Sequence, residues 1–130
     1  MSEAARRILI VDDHAPSRRL ARLVLEGEGL HVDEATRGTG GLAMLAAAPY
    51  DCVLLDVSMP DMSGEDVCAA IRGNPAIAAI RLVAYTAHAM AHERDRILGV
   101  GFDDIVIKPA TITRLVAAVG RAAHGPAPLP

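Results

Sequence analysis

Apolar runs that end at a charged or hydroxyl side chain recur along this chain. They are Ile8–Val11 before Asp12 and Asp13, Cys52–Leu55 before Asp56, Leu82–Tyr85 before Thr86, and Ile105–Ile107 before Lys108. Continuous apolar runs are typical of parallel strands that are covered on both faces. Since ligands of such sheets bind beyond the carboxyl ends of the strands, the pattern predicts a site built from acids, a hydroxyl and an ammonium.

The apolar runs alternate with helical patterns, which indicates βαβ units and an α/β fold. We predict strands at 7–12, 31–35, 51–56, 80–86 and 104–108. The segment His31–Ala35 mixes polar and apolar residues, as expected of an edge strand. Without internal repeats or a second hydrophobic unit, we expect one domain over 1–124 and a short Pro-rich tail over 125–130.

Five helices are predicted between and after these strands. The first runs from Pro16 to Glu28, the second spans 39–47, the third begins at Ser63 and stops before Asn74-Pro75, and the others span 90–99 and 111–123. We expect inward faces at Leu20, Leu23 and Val24 in the first helix and at Ile112, Leu115, Val116 and Val119 in the fifth. The fourth has a polar middle and three apolar anchors, Met90, Ile97 and Leu98, so we expect it to be weakly held.

The composition excludes several partners. Of 130 residues, 52% are hydrophobic and 22% charged, and the net charge of −3 gives no electrostatic reason to bind nucleic acid or a membrane. Aromatic residues make up 2%, which argues against a stacking surface for single strands. No apolar stretch approaches the ~20 residues that span a bilayer, and no signal-peptide region is recognisable, so we expect a cytoplasmic protein.

The strand-end residues suit phosphoryl chemistry. If the first and third strands flank the point where the strand order reverses, then Asp12, Asp13 and Asp56 converge and repel one another. Mg²⁺ prefers a few carboxylates together with retained waters, and we predict that it binds there. Asp56 could then attack phosphorus as a carboxylate nucleophile, while Lys108 and Thr86 contact the phosphoryl oxygens.

Each of these residues has a simpler explanation when it is taken alone. Asp12 or Asp13 could cap the following helix, and Asp56 could be a turn residue. Thr86 could be an ordinary strand residue and Lys108 a surface lysine. It is the combination at four strand ends that favours a site.

Four segments closely resemble the receiver domain of two-component response regulators over about 6–122. They are Val11-Asp12-Asp13, Leu55–Gly64, Tyr85–Met90 and Gly101–Pro109. The resemblance implies a flavodoxin-like three-layer sandwich whose five-stranded parallel sheet has the order 2-1-3-4-5. It also implies that Asp56 accepts phosphate from a histidine kinase or a histidine phosphotransfer protein. Asp12, Asp13, Asp56 and the Ser58 backbone carbonyl would hold Mg²⁺, Thr86 and Lys108 would bind phosphate, and the peptide bond before Pro109 would be cis.

One position departs from the family pattern. The family usually has Tyr or Phe three residues before the lysine, where the ring swings inward on phosphorylation; this chain has Ile105. Tyr85 could substitute as a mobile aromatic residue, or it could be an ordinary packing residue. In this family the side chains at the positions of Ser58 and His88 tune the phosphate lifetime, although His88 could also simply face solvent.

We therefore expect a single-domain response regulator, a regulatory phosphoacceptor rather than an enzyme. It would signal by protein contact, through the fourth helix, fifth strand and fifth helix, or pass its phosphate onward, as a monomer or weak dimer. One alternative is a receiver cut from a hybrid histidine kinase. Another is an aspartate-nucleophile phosphatase, but such enzymes need an acid two residues after the nucleophile, where this chain has Ser58.

Overall fold

Within residues 6–87 and 89–123, which the computed structural model describes, five strands alternate with five helices. The last four of these residues are described by their backbone alone. The elements are β1 (Arg7–Val11), α1 (Ala15–Gly27), β2 (His31–Ala35), α2 (Gly38–Ala47), β3 (Cys52–Asp56), α3 (Gly64–Arg72), β4 (Arg81–Thr86), α4 (Ala91–Val100), β5 (Asp104–Ile107) and α5 (Ile112–Ala123).

The strands form one parallel sheet in the order β2-β1-β3-β4-β5, which confirms the predicted topology. The mixed-polarity strand β2 lies at an edge, as predicted. The registers pair Val11 with Leu55, Asp56 with Tyr85, and Thr86 with Ile107. The carboxyl ends of β1, β3, β4 and β5 therefore meet at one edge of the sheet.

The sheet separates two apolar cores. One core joins Leu9 of β1 and alternate residues of the neighbouring strands to Leu45 of α2, Val67 of α3 and Ile97 of α4. The other core lies on the opposite face of the sheet. It joins Ile8 of β1 and the strand residues that share its face to Leu25 of α1 and to Leu115, Ala118 and Val119 of α5. This arrangement is the predicted three-layer sandwich.

The predicted inward face of α1 was wrong at two of its three residues, whereas Val24 packs against the core. Leu20 is 40% exposed and Leu23 is 71% exposed. The buried residues of the helix are instead Ser17, Ala21 and Leu25. Apolar periodicity misses this stripe because its first member is a serine whose hydroxyl group bonds inside the protein.

One expected contact of α5 was also wrong. Ile112 is 63% exposed, whereas Leu115 and Val119 are fully buried as predicted. Val116, like Val24 of α1, is half-buried. Ile112 is the first residue of α5 and so lies at the end of the helix.

Two of the three predicted anchors of α4 are exposed. Met90 and Leu98 are 66% and 45% exposed, whereas Ile97 is 1% exposed. Of the α4 side chains, all of which are described, Ile97 alone is buried. A salt bridge of 3.0 Å joins Arg96 Nε to Glu65 of α3. As the sequence predicted, α4 is weakly held, and one apolar anchor is buried where three were expected.

The predicted tail at 125–130 lies outside the described residues, as does His88. The boundaries of the domain at 1 and 124 and the tail itself stay predictions.

The attachment of α4 can be tested with a pair of neighbouring truncations. We expect Ile97→Ala to lower the free energy of unfolding by about 2–4 kcal/mol, because it removes a buried side chain and leaves a cavity. Leu98→Ala, the matched control on the solvent side, should change it by about 0.5 kcal/mol or less. Urea denaturation measures both values, and equal losses would contradict this account of α4.

Candidate functional site

Three carboxylates converge at the carboxyl edge of the sheet. Asp12 and Asp13 directly follow β1, and Asp56 is the last residue of β3. One oxygen atom of each lies within 4.8 Å of the others. Asp12 is fully buried and Asp56 is 5% exposed, whereas Asp13 is open to solvent. The sequence prediction that these acids meet is confirmed by their geometry.

The ammonium group of Lys108 lies between two of these acids. Its Nζ atom is 3.0 Å from Asp12 Oδ2 and 3.5 Å from Asp56 Oδ2. The Nζ atom also lies 4.9 Å from the centre of the Tyr85 ring. Lys108 follows β5, and its backbone N–H donates to the carbonyl of Thr86 at 2.8 Å. The peptide bond between Lys108 and Pro109 is cis, as the resemblance implied.

Burial governs the electrostatics of Asp56. Burial, together with the neighbouring Asp12, raises the pKa of Asp56 to about 6, although the Ser58 amide and the Lys108 ammonium act in the opposite direction. The Ser58 N–H donates to Asp56 Oδ1 at 3.0 Å. Asp56 therefore carries a hydrogen bond on one oxygen and faces the ammonium with the other.

Thr86 is the last residue of β4 and is 3% exposed. It lies opposite Ile107 in the register between β4 and β5. Since Asp56 ends the neighbouring strand β3, the predicted hydroxyl lies at the same sheet edge as the acids.

Tyr85 and Ile105 lie on opposite faces of the sheet. Tyr85 is fully buried in the core beneath α1 and α5, where its hydroxyl donates to the Ser17 carbonyl at 3.4 Å. Ile105 is 3% exposed and belongs to the core beneath α3 and α4. Tyr85 is thus packed in the core next to the site, and a mobile role for it stays a prediction.

Sequence reasoning missed two residues that hold Asp12. The Ser17 hydroxyl donates to Asp12 Oδ2 at 2.9 Å, and Arg18 Nη1 donates to the Asp12 carbonyl at 3.0 Å. Arg18 Nε also donates to Glu34 at 2.7 Å and so links α1 to β2. A serine one residue after Pro16, in the first turn of the helix after the acid pair, was the available signal.

Gly64 allows the loop after β3 to close tightly. The Gly64 N–H donates to the Val57 carbonyl at 3.0 Å. A Cβ atom at this position would lie 2.6 Å from the Asp56 carbonyl oxygen and 2.6 Å from Val57 Cα. A side chain at residue 64 would therefore displace the backbone that carries Asp56.

The donor atoms of the acid cluster fit a hard divalent cation. Mg²⁺ takes oxygen ligands in octahedral geometry and is usually bound by one or two carboxylates with several waters retained. Asp12, Asp13 and Asp56 offer such oxygens, and exposed Asp13 leaves one side accessible to water. The cluster opens into a cavity of about 690 Å³ whose lining includes Ser58 and Lys108.

Comparison with known proteins identifies the family. The sequence model of one protein family, the response regulator receiver domain, matches residues 8–120 of this chain. The transcriptional regulatory protein ResD of Bacillus subtilis is 39% identical over 115 residues, covering 87% of this chain and 46% of ResD. The histidine-protein kinase BarA of Escherichia coli is 33% identical over 114 residues, covering 88% of this chain and 12% of BarA.

Solved structures agree with this result. The chemotaxis protein CheY4 of Vibrio cholerae superimposes with a TM-score of 0.86 at 25% identity, covering 92% of this chain and 99% of CheY4. The chain belongs to the response regulator receiver domain family and is a receiver domain of two-component signalling systems. It spans less than half the length of ResD and about an eighth of BarA.

Among the described residues, no helix combines the length and the apolar character that crossing a membrane requires.

The role of Gly64 can be tested by two glycine-to-alanine substitutions. We expect Gly64→Ala to lower the free energy of unfolding by about 1–3 kcal/mol, because the added methyl group overpacks the loop. It should also slow any reaction of Asp56. Gly40→Ala, where a Cβ atom meets nothing within 4 Å, should be neutral or stabilising by up to about 1 kcal/mol. Thermal denaturation measures both, and a neutral Gly64→Ala would refute the close approach.

Proposed function

We propose that this receiver domain is a phosphorylation switch whose phosphoacceptor is Asp56. The observation that carries the proposal is the position of its carboxylate. It lies at the end of a central strand beside the acids Asp12 and Asp13, with Lys108 Nζ 3.5 Å from its Oδ2 atom. The adjoining cavity offers a phosphodonor access to this carboxylate.

The phosphodonor is a phosphorylated histidine kinase or a histidine phosphotransfer protein. A carboxylate oxygen of Asp56 attacks the phosphorus atom while the bond from phosphorus to the donor imidazole nitrogen breaks. The bonding electron pair returns to that nitrogen, and an aspartyl phosphate forms. Catalysis of this transfer requires mainly positioning and charge neutralisation.

Lys108 and Thr86 bind the transferred group. The Lys108 ammonium neutralises one phosphoryl oxygen, and the Thr86 hydroxyl donates a hydrogen bond to another. Mg²⁺, held by Asp12, Asp13, Asp56 and the Ser58 backbone carbonyl, supplies further positive charge when it is bound. The Ser58 amide keeps the Asp56 carboxylate oriented.

The domain is a regulatory phosphoacceptor rather than a phosphatase acting on other substrates. An aspartate-nucleophile phosphatase needs a general acid to protonate its leaving group, and Ser58 occupies the position where that acid is required. The side chains of Ser58 and His88 tune the lifetime of the aspartyl phosphate in this proposal.

The signal leaves by protein contact or by onward transfer of phosphate. We place the contact surface on α4, β5 and α5, because α4 is held by one buried side chain and can shift at low cost. In this proposal the regulator is a monomer or weak dimer in the cytoplasm. The likeness to the histidine-protein kinase BarA supports an alternative, in which this sequence is the receiver of a hybrid kinase.

The phosphoacceptor can be identified by intact mass after incubation with acetyl phosphate and Mg²⁺. We expect one added phosphoryl group in the wild-type protein and none in Asp56→Asn or without Mg²⁺. Asp66→Asn, which changes an exposed carboxylate on α3, is the matched control and should still be phosphorylated. An adduct of the same mass in Asp56→Asn would refute Asp56 as the acceptor.

Phosphorylation should also change the dynamics of α4. We expect amide hydrogen exchange over 86–104 to change on phosphorylation, while exchange within β1 and β3 stays constant, because their residues are buried and central. Mass spectrometry of peptic fragments measures this difference. Unchanged exchange across α4 would remove it from the proposed switch.

A further inference from the structure

Asp12 is held more closely than its neighbours in the site. Its Oδ2 atom receives the Lys108 ammonium at 3.0 Å and the Ser17 hydroxyl at 2.9 Å. Its Oδ1 atom receives the backbone N–H of His14 at 2.9 Å. The side chain is fully buried, so these contacts replace the water that a carboxylate would otherwise bind.

The Ser17 hydroxyl has one proton and three acceptors within reach. Asp12 Oδ2 lies at 2.9 Å, the His14 carbonyl at 3.2 Å and His14 Nδ1 at 2.8 Å. The ionised carboxylate is the strongest acceptor of the three, so the proton points to Asp12. His14 Nδ1 accepts the Ser17 backbone N–H at 3.4 Å and contacts the Ser17 oxygen at 2.8 Å.

These contacts connect the protein surface to the site through Ser17. The exposed His14 ring contacts the hydroxyl of Ser17, which is 9% exposed, and that hydroxyl donates to Asp12. His14 is also the N-terminal capping residue of α1, and its side chain accepts the Ser17 backbone N–H in the first turn of the helix. Ser17 is thus held by its neighbours in one orientation.

We propose that Ser17 is a positioning residue that fixes the Asp12 carboxylate for a divalent cation, and that His14 acts through Ser17. This inference rests on the proposed function, in which Asp12 is one of the ligands of Mg²⁺. Ser17 does not touch the phosphoryl group, and its effect is exerted entirely through the orientation of Asp12.

The need for Ser17 follows from the second role of Lys108. In the proposed transfer, the ammonium neutralises a phosphoryl oxygen, which draws it away from Asp12. The Ser17 hydroxyl is then the remaining side-chain donor among the contacts described for Asp12 Oδ2. Hydrogen bonds of this kind to a metal-binding carboxylate orient it, and their loss typically weakens metal affinity 10–100-fold.

The experiment is an NMR titration with MgCl₂ alone, following the amide signals of residues 12, 13 and 56. We expect Ser17→Ala to raise the Kd for Mg²⁺ about tenfold. Ser17→Thr keeps the hydroxyl and should retain an affinity close to that of the wild type. Ser17→Cys replaces the hydroxyl with a thiol, which is a weak hydrogen-bond donor, and should also weaken Mg²⁺ binding.

Ser63→Ala is the matched control. Ser63 caps α3 by accepting the Asp66 N–H at 3.1 Å, so this variant also loses a serine hydroxyl near a helix start, but away from Asp12. It should be less stable than the wild type and bind Mg²⁺ equally well. Weaker binding in Ser63→Ala of the same size would make the Ser17 effect one of general stability and overturn the inference.

A double-mutant cycle tests the role of His14. We expect His14→Ala to weaken Mg²⁺ binding by less than Ser17→Ala, and to have no further effect in a protein that already carries Ser17→Ala. Independent, additive losses would overturn the claim that His14 acts through Ser17.

The remaining outcomes separate this inference from the proposed function. If the wild-type protein binds Mg²⁺ and the Ser17→Ala and Ser17→Cys variants bind it with equal affinity, the role of Ser17 is overturned. The metal site itself is then left intact. Wild-type signals that do not respond to Mg²⁺ overturn the metal site itself, and the inference with it.

Discussion

The attraction between the Lys108 ammonium and two buried carboxylates is the interaction on which this structure depends. Two unit charges 4 Å apart interact by about 4 kcal/mol at the effective dielectric constant typical near protein surfaces. Asp12 and Asp56 repel on that scale, and Lys108, within 3.0 Å and 3.5 Å of them, offsets the repulsion. The strand order is what makes this possible, because β1 and β3 are neighbours.

The phosphoacceptor site around Asp56 and the proposed contact surface on α4 differ in how firmly the rest of the protein holds them. Asp56 ends a strand whose five residues are all buried, whereas α4 buries Ile97 alone among its side chains, all of which are described. Ile105 fills the core on the α4 side, where the family usually has an aromatic ring. At this position the chain offers an aliphatic side chain, which has no ring face or hydroxyl to exchange between partners.

The sequence predicted the fold and the convergence of the acids because both follow from strand position. Continuous apolar runs define buried parallel strands, and their ends place Asp12, Asp56 and Lys108 at one edge. Helix orientation was harder to predict. Leu23 is exposed, whereas Ser17 is buried and donates a hydrogen bond to Asp12. The pattern of apolar residues in a sequence does not reveal that hydrogen bond.

The most direct test of the central claim is a crystal structure of the protein with Mg²⁺ and the phosphoryl mimic beryllofluoride. The account predicts the mimic on one Asp56 carboxylate oxygen. It predicts the ion on Asp12, Asp13, Asp56 and the Ser58 backbone carbonyl, with ion–oxygen distances of about 2.1 Å. It also predicts that Lys108 Nζ leaves Asp12 for a fluorine atom of the mimic. An empty acid cluster, or Lys108 still bound to Asp12 beside an occupied Asp56, would contradict it.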